Sequence, residues 1–232
     1  MKILTHVCCA PCFTYPHKRM IEEGHDITAF FYNPNIHPYQ EYKNRLGSVE
    51  KYVELKGTKV IYDNNYEIEN YLRGALAAAE RCPFCYTARL EQTAKMARQL
   101  EFDAFTTTLL ISPYQKHDIL ARVGEKIAHD FGIEFYYEDF REGYQESRDI
   151  SKDLGLYMQK YCGCIFSEKE RYFKKSIFSN KWGGGDKHYF LFLYILSWWS
   201  KSSNFTTLFF SSILNIRTND FNTCTQWNPL KS

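Results

Sequence analysis

Short apolar runs alternate with longer amphipathic stretches along the first 175 positions. Lys2–Val7, Asp26–Tyr32, Thr58–Tyr62, Asp103–Ile111 and Ile133–Tyr137 read as strands. Between them, helical spacing runs through Tyr39–Lys56, where Tyr42, Leu46, Val49 and Val53 share one face and Gly57 stops the helix. Tyr66–Glu80, Thr87–Leu100 and Tyr114–Phe131 are helical by the same test, and a first helix is expected to start at Pro16 and end near Gly24. Asn33–Pro38 is a loop, and Ser147–Lys160 and Ser167–Lys175 are expected helices on either side of Cys162-Gly163-Cys164. Strands separated by helices imply right-handed βαβ units, an α/β class and a mostly parallel sheet. Ligands in such sheets bind beyond the carboxyl ends of the strands.

The pattern stops near residue 176. All four tryptophans lie in 176–232, with five basic and two acidic residues, a Gly183-Gly184-Gly185 joint and no clean period. Two domains are therefore expected: 1–175, and an atypical tail over 176–232. The tail is either an out-of-frame end or one further element, around Tyr189–Trp199, that packs or touches a membrane surface. The chain of 232 residues is 44% hydrophobic and 24% charged, which excludes disorder for its bulk, and a net charge of +2 excludes a duplex-coating protein. Its apolar run Tyr189–Leu196 is too short to span a bilayer, and the start is not a secretory signal, so a cytoplasmic protein without a membrane partner is expected.

Cysteine changes the picture most. Seven of the eight fall in three groups: Cys8-Cys9-Ala10-Pro11-Cys12, Cys82-Pro83-Phe84-Cys85 and Cys162-Gly163-Cys164. Cys224 stands alone and reads as a small hydrophobe. In a reducing compartment, clustered thiols bind metal or do redox chemistry more often than they form structural disulfides. Four thiolates hold one zinc or one iron–sulfur cluster, and seven exceed one such site. Three readings stay open: a cluster with a second metal or redox-active thiols, a zinc-stabilised RNA-binding module, and a thioredoxin-like oxidoreductase using Cys9 and Cys12.

Five motifs in order carry a resemblance. They are His6-Val7-Cys8-Cys9-Ala10-Pro11-Cys12, Tyr32–Pro38, Arg81-Cys82-Pro83-Phe84-Cys85, Thr107–His117 and Tyr161–Ser167. Over residues 1–175 the chain resembles the epoxyqueuosine reductase QueH family. The resemblance implies a Rossmann-like, nucleotide-hydrolase-like sheet flanked by helices. It implies reduction of epoxyqueuosine to queuosine at the tRNA wobble position, the last step of queuosine synthesis. It also implies a 4Fe–4S cluster with an adjacent mononuclear iron, and Cys8, Cys9, Cys12, Cys82, Cys85, Cys162 and Cys164 as candidate ligands.

Removing an epoxide oxygen as water takes two electrons and two protons. A cluster relays single electrons and a neighbouring iron is a Lewis acid for the oxygen. An electron donor, not identifiable from sequence, is required. Tyr114, His117 and Asp118 are candidate proton donors, with His37 close by loop logic, and Thr106–Thr108 could hold substrate hydroxyls. Aromatic and basic residues interleave in 39–45, 114–117 and 169–175, as an anticodon-loop contact would need.

Overall fold

A computed structural model describes residues 1–173. The expectations for the 176–232 tail, including Cys224 and Gly183–Gly185, lie outside the described residues.

Five strands, β1 (Lys2–His6), β2 (Asp26–Phe31), β3 (Lys59–Tyr62), β4 (Ala104–Thr107) and β5 (Glu134–Phe135), form one sheet in the order β3-β2-β1-β4-β5. Every neighbouring pair is parallel. The helices are α1 (Ala10–Glu22), α2 (Tyr39–Lys56), α3 (Ile68–Ala77), α4 (Arg81–Gln99), α5 (His117–Phe131), α6 (Tyr144–Asp153) and α7 (Ile165–Tyr172). α1 packs against α2 and α6, while α4 packs against α5 and against β1 and β4. Covered on both faces, the central strands are apolar throughout: Ile3, Leu4, Phe30, Phe31 and Phe105 are fully buried. Each such side chain contributes about 1.5–3 kcal/mol through burial. The mostly parallel α/β sheet expected from the pattern is the sheet observed.

Register places the site. His6 of β1 lies level with Phe30 of β2 and Thr107 of β4. The chain winds from β1 to β2 to β3 in one direction, then crosses to β4 and β5 on the other side, so the crevice at the carboxyl ends of β1 and β4 is the topological switch point. Cys8 leaves β1 into that crevice, facing Thr108.

Several boundaries differ from the sequence reading. α1 begins at Ala10 with Pro11 in its first turn, and Pro16 lies inside the helix. Pro11, whose missing N–H costs nothing there, is the true start signal. The fourth strand ends at Thr107 because its hydroxyl accepts the Leu109 N–H at 3.2 Å and turns Thr108–Ile111 into a 3₁₀ helix. α4 begins at Arg81 rather than Thr87, so Cys82–Cys85 form its first turn. The helix expected over 147–160 covers Tyr144–Asp153, and the chain is irregular from there to Cys162. α5 starts at His117, after Tyr114. Among the described residues, no helix is long and apolar enough to cross a membrane.

Candidate metal centre

β1 delivers Cys8 and Cys9 into the crevice, and α1 carries Cys12 three residues on, so Cys9 and Cys12 share one face. The sulfurs of Cys8, Cys9 and Cys12 lie within 4.8 Å of one another, with Cys8 and Cys9 at 3.6 Å. They are the one such set of three or more Cys, His, Asp or Glu donors among the described residues, and they can hold a metal. The Cys8 amide donates to Thr108 Oγ1 at 3.3 Å, and that hydroxyl donates back to Cys8 Sγ at 3.5 Å. Gln159 Nε2 donates to Cys12 Sγ at 3.2 Å. Hydrogen bonds from Cys12 and Cys9 pull the Cys8 thiol well below its usual range, whereas burial pushes Cys9 up. Cys12, which gives its proton toward Cys8, is raised as well. Of the three, Cys8 is the one whose charged form its neighbours favour. The N-terminus of α1 favours that charge.

His6 sits one step back. Burial and the nearby Arg89 charge lower it to about 3, so it is neutral. Its Nε2–H donates to the Tyr32 carbonyl at 3.1 Å and its Nδ1 accepts from Thr107 Oγ1 at 2.9 Å, a single consistent tautomer. This pins β1 to both neighbours at the level of the sulfurs.

The other four cysteines come from two distant segments. Cys82 and Cys85 are one turn apart on α4, and Cys162 and Cys164 flank Gly163 just before α7. Cys85 is raised by burial, with Arg89 opposing and Cys162 and Cys82 adding to it; Cys164 is raised by burial, with Cys162 and Cys85 adding to it. Among the described residues, only Cys8, Cys9 and Cys12 form a set of three or more donors within 4.8 Å, and these four cysteines are not part of it. Gly163 has φ +110°, and a Cβ there would come 2.9 Å from Ile36 Cγ1 and 3.2 Å from Arg45 Nη1. The loop is thus pressed onto the core, and its Gly163 carbonyl accepts the His37 N–H at 2.8 Å.

Two buried arginines join the cysteine groups. Arg45, 1% exposed, pairs with Glu41 at 2.8 Å and donates to the carbonyls of Tyr161 and Cys162, while its charge acts on Cys8 and Cys12. Arg89, 3% exposed, donates through Nε to the Cys85 carbonyl at 3.2 Å, but its Nη1 has no partner. Cys85, the Tyr71 hydroxyl, Cys8 and Cys162 lie close enough to act on its charge. A buried guanidinium nitrogen without a partner is costly unless something anionic meets it. An all-sulfur donor set bearing negative charge, as a soft metal group would have, fits that orphan.

The remaining expected residues fall elsewhere. Tyr114 is 82% exposed against Tyr144, Asp118 is exposed in the first turn of α5, and buried His117 meets the Ser112 carbonyl through Nε2 at 3.1 Å. No described contact joins these three to the cysteines. His37 is buried, its ring against Tyr66 and Tyr71. Thr106–Thr108 are fully buried strand and cap positions. In the 39–45 segment, Tyr42 and Arg45 are buried, which removes them from an RNA-facing patch and leaves Tyr39 and Lys43 exposed. Arg89, Tyr71 and Gln159 were not anticipated, and Arg45 was expected in an RNA-facing segment rather than beside the cysteines. The signal available was a lone Arg at buried helical spacing, Arg89 lying four residues after Cys85.

Cys9 is fully buried with a raised thiol, unlike the accessible low-pKa nucleophile of a thiol–disulfide exchanger, so the thioredoxin-like alternative is not favoured. The described cysteines are all free.

The profile of the family described as "Epoxyqueuosine reductase QueH" matches residues 3–170. A protein of that name from Dehalococcoides mccartyi is 40% identical over 174 residues, covering 75% of this chain and 96% of the relative. One from Thermotoga maritima is 38% identical, covering 78% of this chain and 97% of the relative. One from Helicobacter pylori is 37% identical over 72% of this chain and 49% of the relative. With the resemblance in the five motifs thus borne out across the whole described fold, the chain belongs to the epoxyqueuosine reductase QueH family of oxidoreductases.

Proposed function

We propose that this chain reduces the epoxide of epoxyqueuosine in tRNA to the alkene of queuosine, consuming two electrons and two protons per epoxide and releasing water. The observation that carries this reading is the convergence of Cys8, Cys9 and Cys12 at the switch point of the sheet, inside a chain that belongs to this family. Cys8, Cys9, Cys12, Cys82, Cys85, Cys162 and Cys164 would hold a 4Fe–4S cluster and one further iron. When bound, these supply single-electron transfer and Lewis acidity.

The protein's own contributions follow from the geometry. Buried Arg45 and Arg89 put positive charge close enough to act on Cys8. Thr108 fixes the Cys8 sulfur, and neutral His6 neither adds charge nor offers a proton. Leu109, Leu110 and Ile111, all buried, keep water from the floor of the crevice. Tyr114 and Asp118, both exposed, are open to a bound substrate as proton donors, whereas His117 is buried. Tyr114 with Lys116 offers stacking and phosphate contact for an anticodon loop. An external electron donor completes the balance. Clustered thiols of this kind persist in a reducing compartment, which supports a cytoplasmic reaction.

Anaerobically purified protein should be brown, with more iron than one cubane cluster contains. Expressed in cells that accumulate epoxyqueuosine tRNA, it should yield queuosine by nucleoside mass spectrometry. Colourless protein holding about one zinc, with epoxyqueuosine persisting, would defeat the reading.

A further inference from the structure

A cavity of about 360 Å³ opens beyond the carboxyl ends of β2 and β3, beside the cysteines. Tyr32 follows β2, Asp63 follows β3, Glu67 and Tyr71 come from the start of α3, and Phe84 and Gln92 from α4. Phe84 lies between Cys82 and Cys85, so one α4 turn serves both cavity and metal centre. Its ring packs so closely on α3 that a Cβ at Gly74 would collide with it. Tyr71 forms the shared wall: it is 4% exposed, and its hydroxyl lies beside the Cys85 sulfur without a well-formed hydrogen bond.

The polar side of the cavity is acidic. Asp63 and Glu67 both face the Tyr32 phenol, which burial and then their charges raise. Neither has a cationic partner among the described residues. Their hydrogen bonds are from the Asn65 amide to Asp63 at 3.2 Å and from Asn70 Nδ2 to Glu67 at 2.9 Å, which leaves oxygens free on both. Two unpaired carboxylates beside an aromatic ring and an amide suit a flat, amine-bearing group.

We propose that this cavity binds the modified base itself, its ring against Phe84 and its amine between Asp63 and Glu67, with Tyr71 separating it from Cys85. The inference rests on the reductase reading, since that substrate joins a deazaguanine ring to its epoxide-bearing ring through an amine. Asp63 and Glu67 are then specificity residues, selecting a cationic linker that an unmodified guanine lacks.

The test uses the anaerobic, metal-loaded protein and two nucleosides, queuosine and 7-deazaguanosine, the latter lacking the amine. Wild type should bind queuosine more tightly, and the Asp63→Asn, Glu67→Gln double variant should lose roughly 10- to 100-fold in queuosine affinity, as loss of charge-assisted hydrogen bonds implies. On substrate tRNA, KM should rise with kcat changed less than about threefold, at unaltered iron content. Exposed Glu67 alone, as Glu67→Gln, gives the same direction should the double variant fold poorly. Equal affinity of wild type for the two nucleosides, or unchanged Kd and KM in the variants, overturns the proposal while leaving the reductase intact. Selective queuosine binding without any epoxide reduction supports the pocket and overturns the reductase reading instead.

Discussion

The two halves of the proposed ligand set are built differently. Cys8, Cys9 and Cys12 come from five consecutive residues at a strand–helix junction, and their sulfurs already converge within 4.8 Å. Cys82, Cys85, Cys162 and Cys164 come from two segments about half the described chain apart, and Cys162 is exposed, its thiol toward Ser167 Oγ at 2.9 Å. Local covalent connectivity positions the first half. The second half depends on tertiary contacts, chiefly Arg45 and the Gly163 loop. The proposed ligand set is thus part rigid junction and part docked segment.

That contrast can be broken at its strongest link. Arg45→Met leaves Glu41 buried without its cation and releases the Tyr161 and Cys162 carbonyls. The loss should be about 3–5 kcal/mol, seen as a drop in Tm on the order of 10 °C. An unchanged Tm would mean that the loop docks without it.

The first half can be loosened by acid. His17 of α1 is buried between Tyr52 and Thr58, and burial, followed by the Lys56 charge, lowers it to about 4 from 6.5. The unfolded chain therefore binds the extra proton first. Stability is full above about pH 6.5 and falls as pH drops toward 4, by on the order of 3 kcal/mol over the whole window. Urea unfolding at pH 7 and pH 4.5 measures the difference, and His17→Gln should reduce it, leaving the part that buried His6, lowered to about 3, contributes. An equal slope in that variant would assign the effect to other groups.

The smallest of these effects concerns the loop alone. Gly163→Ala must adopt a left-handed φ and crowd Ile36 and Arg45. A cost of about 1–3 kcal/mol is expected, with thiol labelling accelerated at Cys162 and Cys164 but unaltered at Cys9. Uniform acceleration at all three would erase the distinction between the halves.

Sequence showed the sheet and the cysteine groups because both rest on local signals. Alternation revealed the strands, and Cys spacing revealed the groups. The fourth strand was overextended because a Thr run reads as β until one hydroxyl is seen to cap a turn, as Thr107 does. The start of α4 was placed at Thr87, past Cys82-Pro83-Phe84-Cys85, yet a proline in a first turn breaks nothing. Arg45 was read as facing RNA and Arg89 escaped notice because amphipathic helices usually turn arginine outward, and only the packed fold shows these two turned inward. The family was legible from the motifs, whereas the cavity behind Phe84 needed three dimensions.

β1 lies at the centre of the sheet, hydrogen-bonded to a neighbour on each side. A strand so placed cannot fray from an edge; its amides exchange with solvent only when the domain opens as a whole. The sulfurs at its end should therefore share the lifetime of the entire fold, so that oxygen or a chelator gains entry to them through global opening or through the docked loop, never through the strand that bears them.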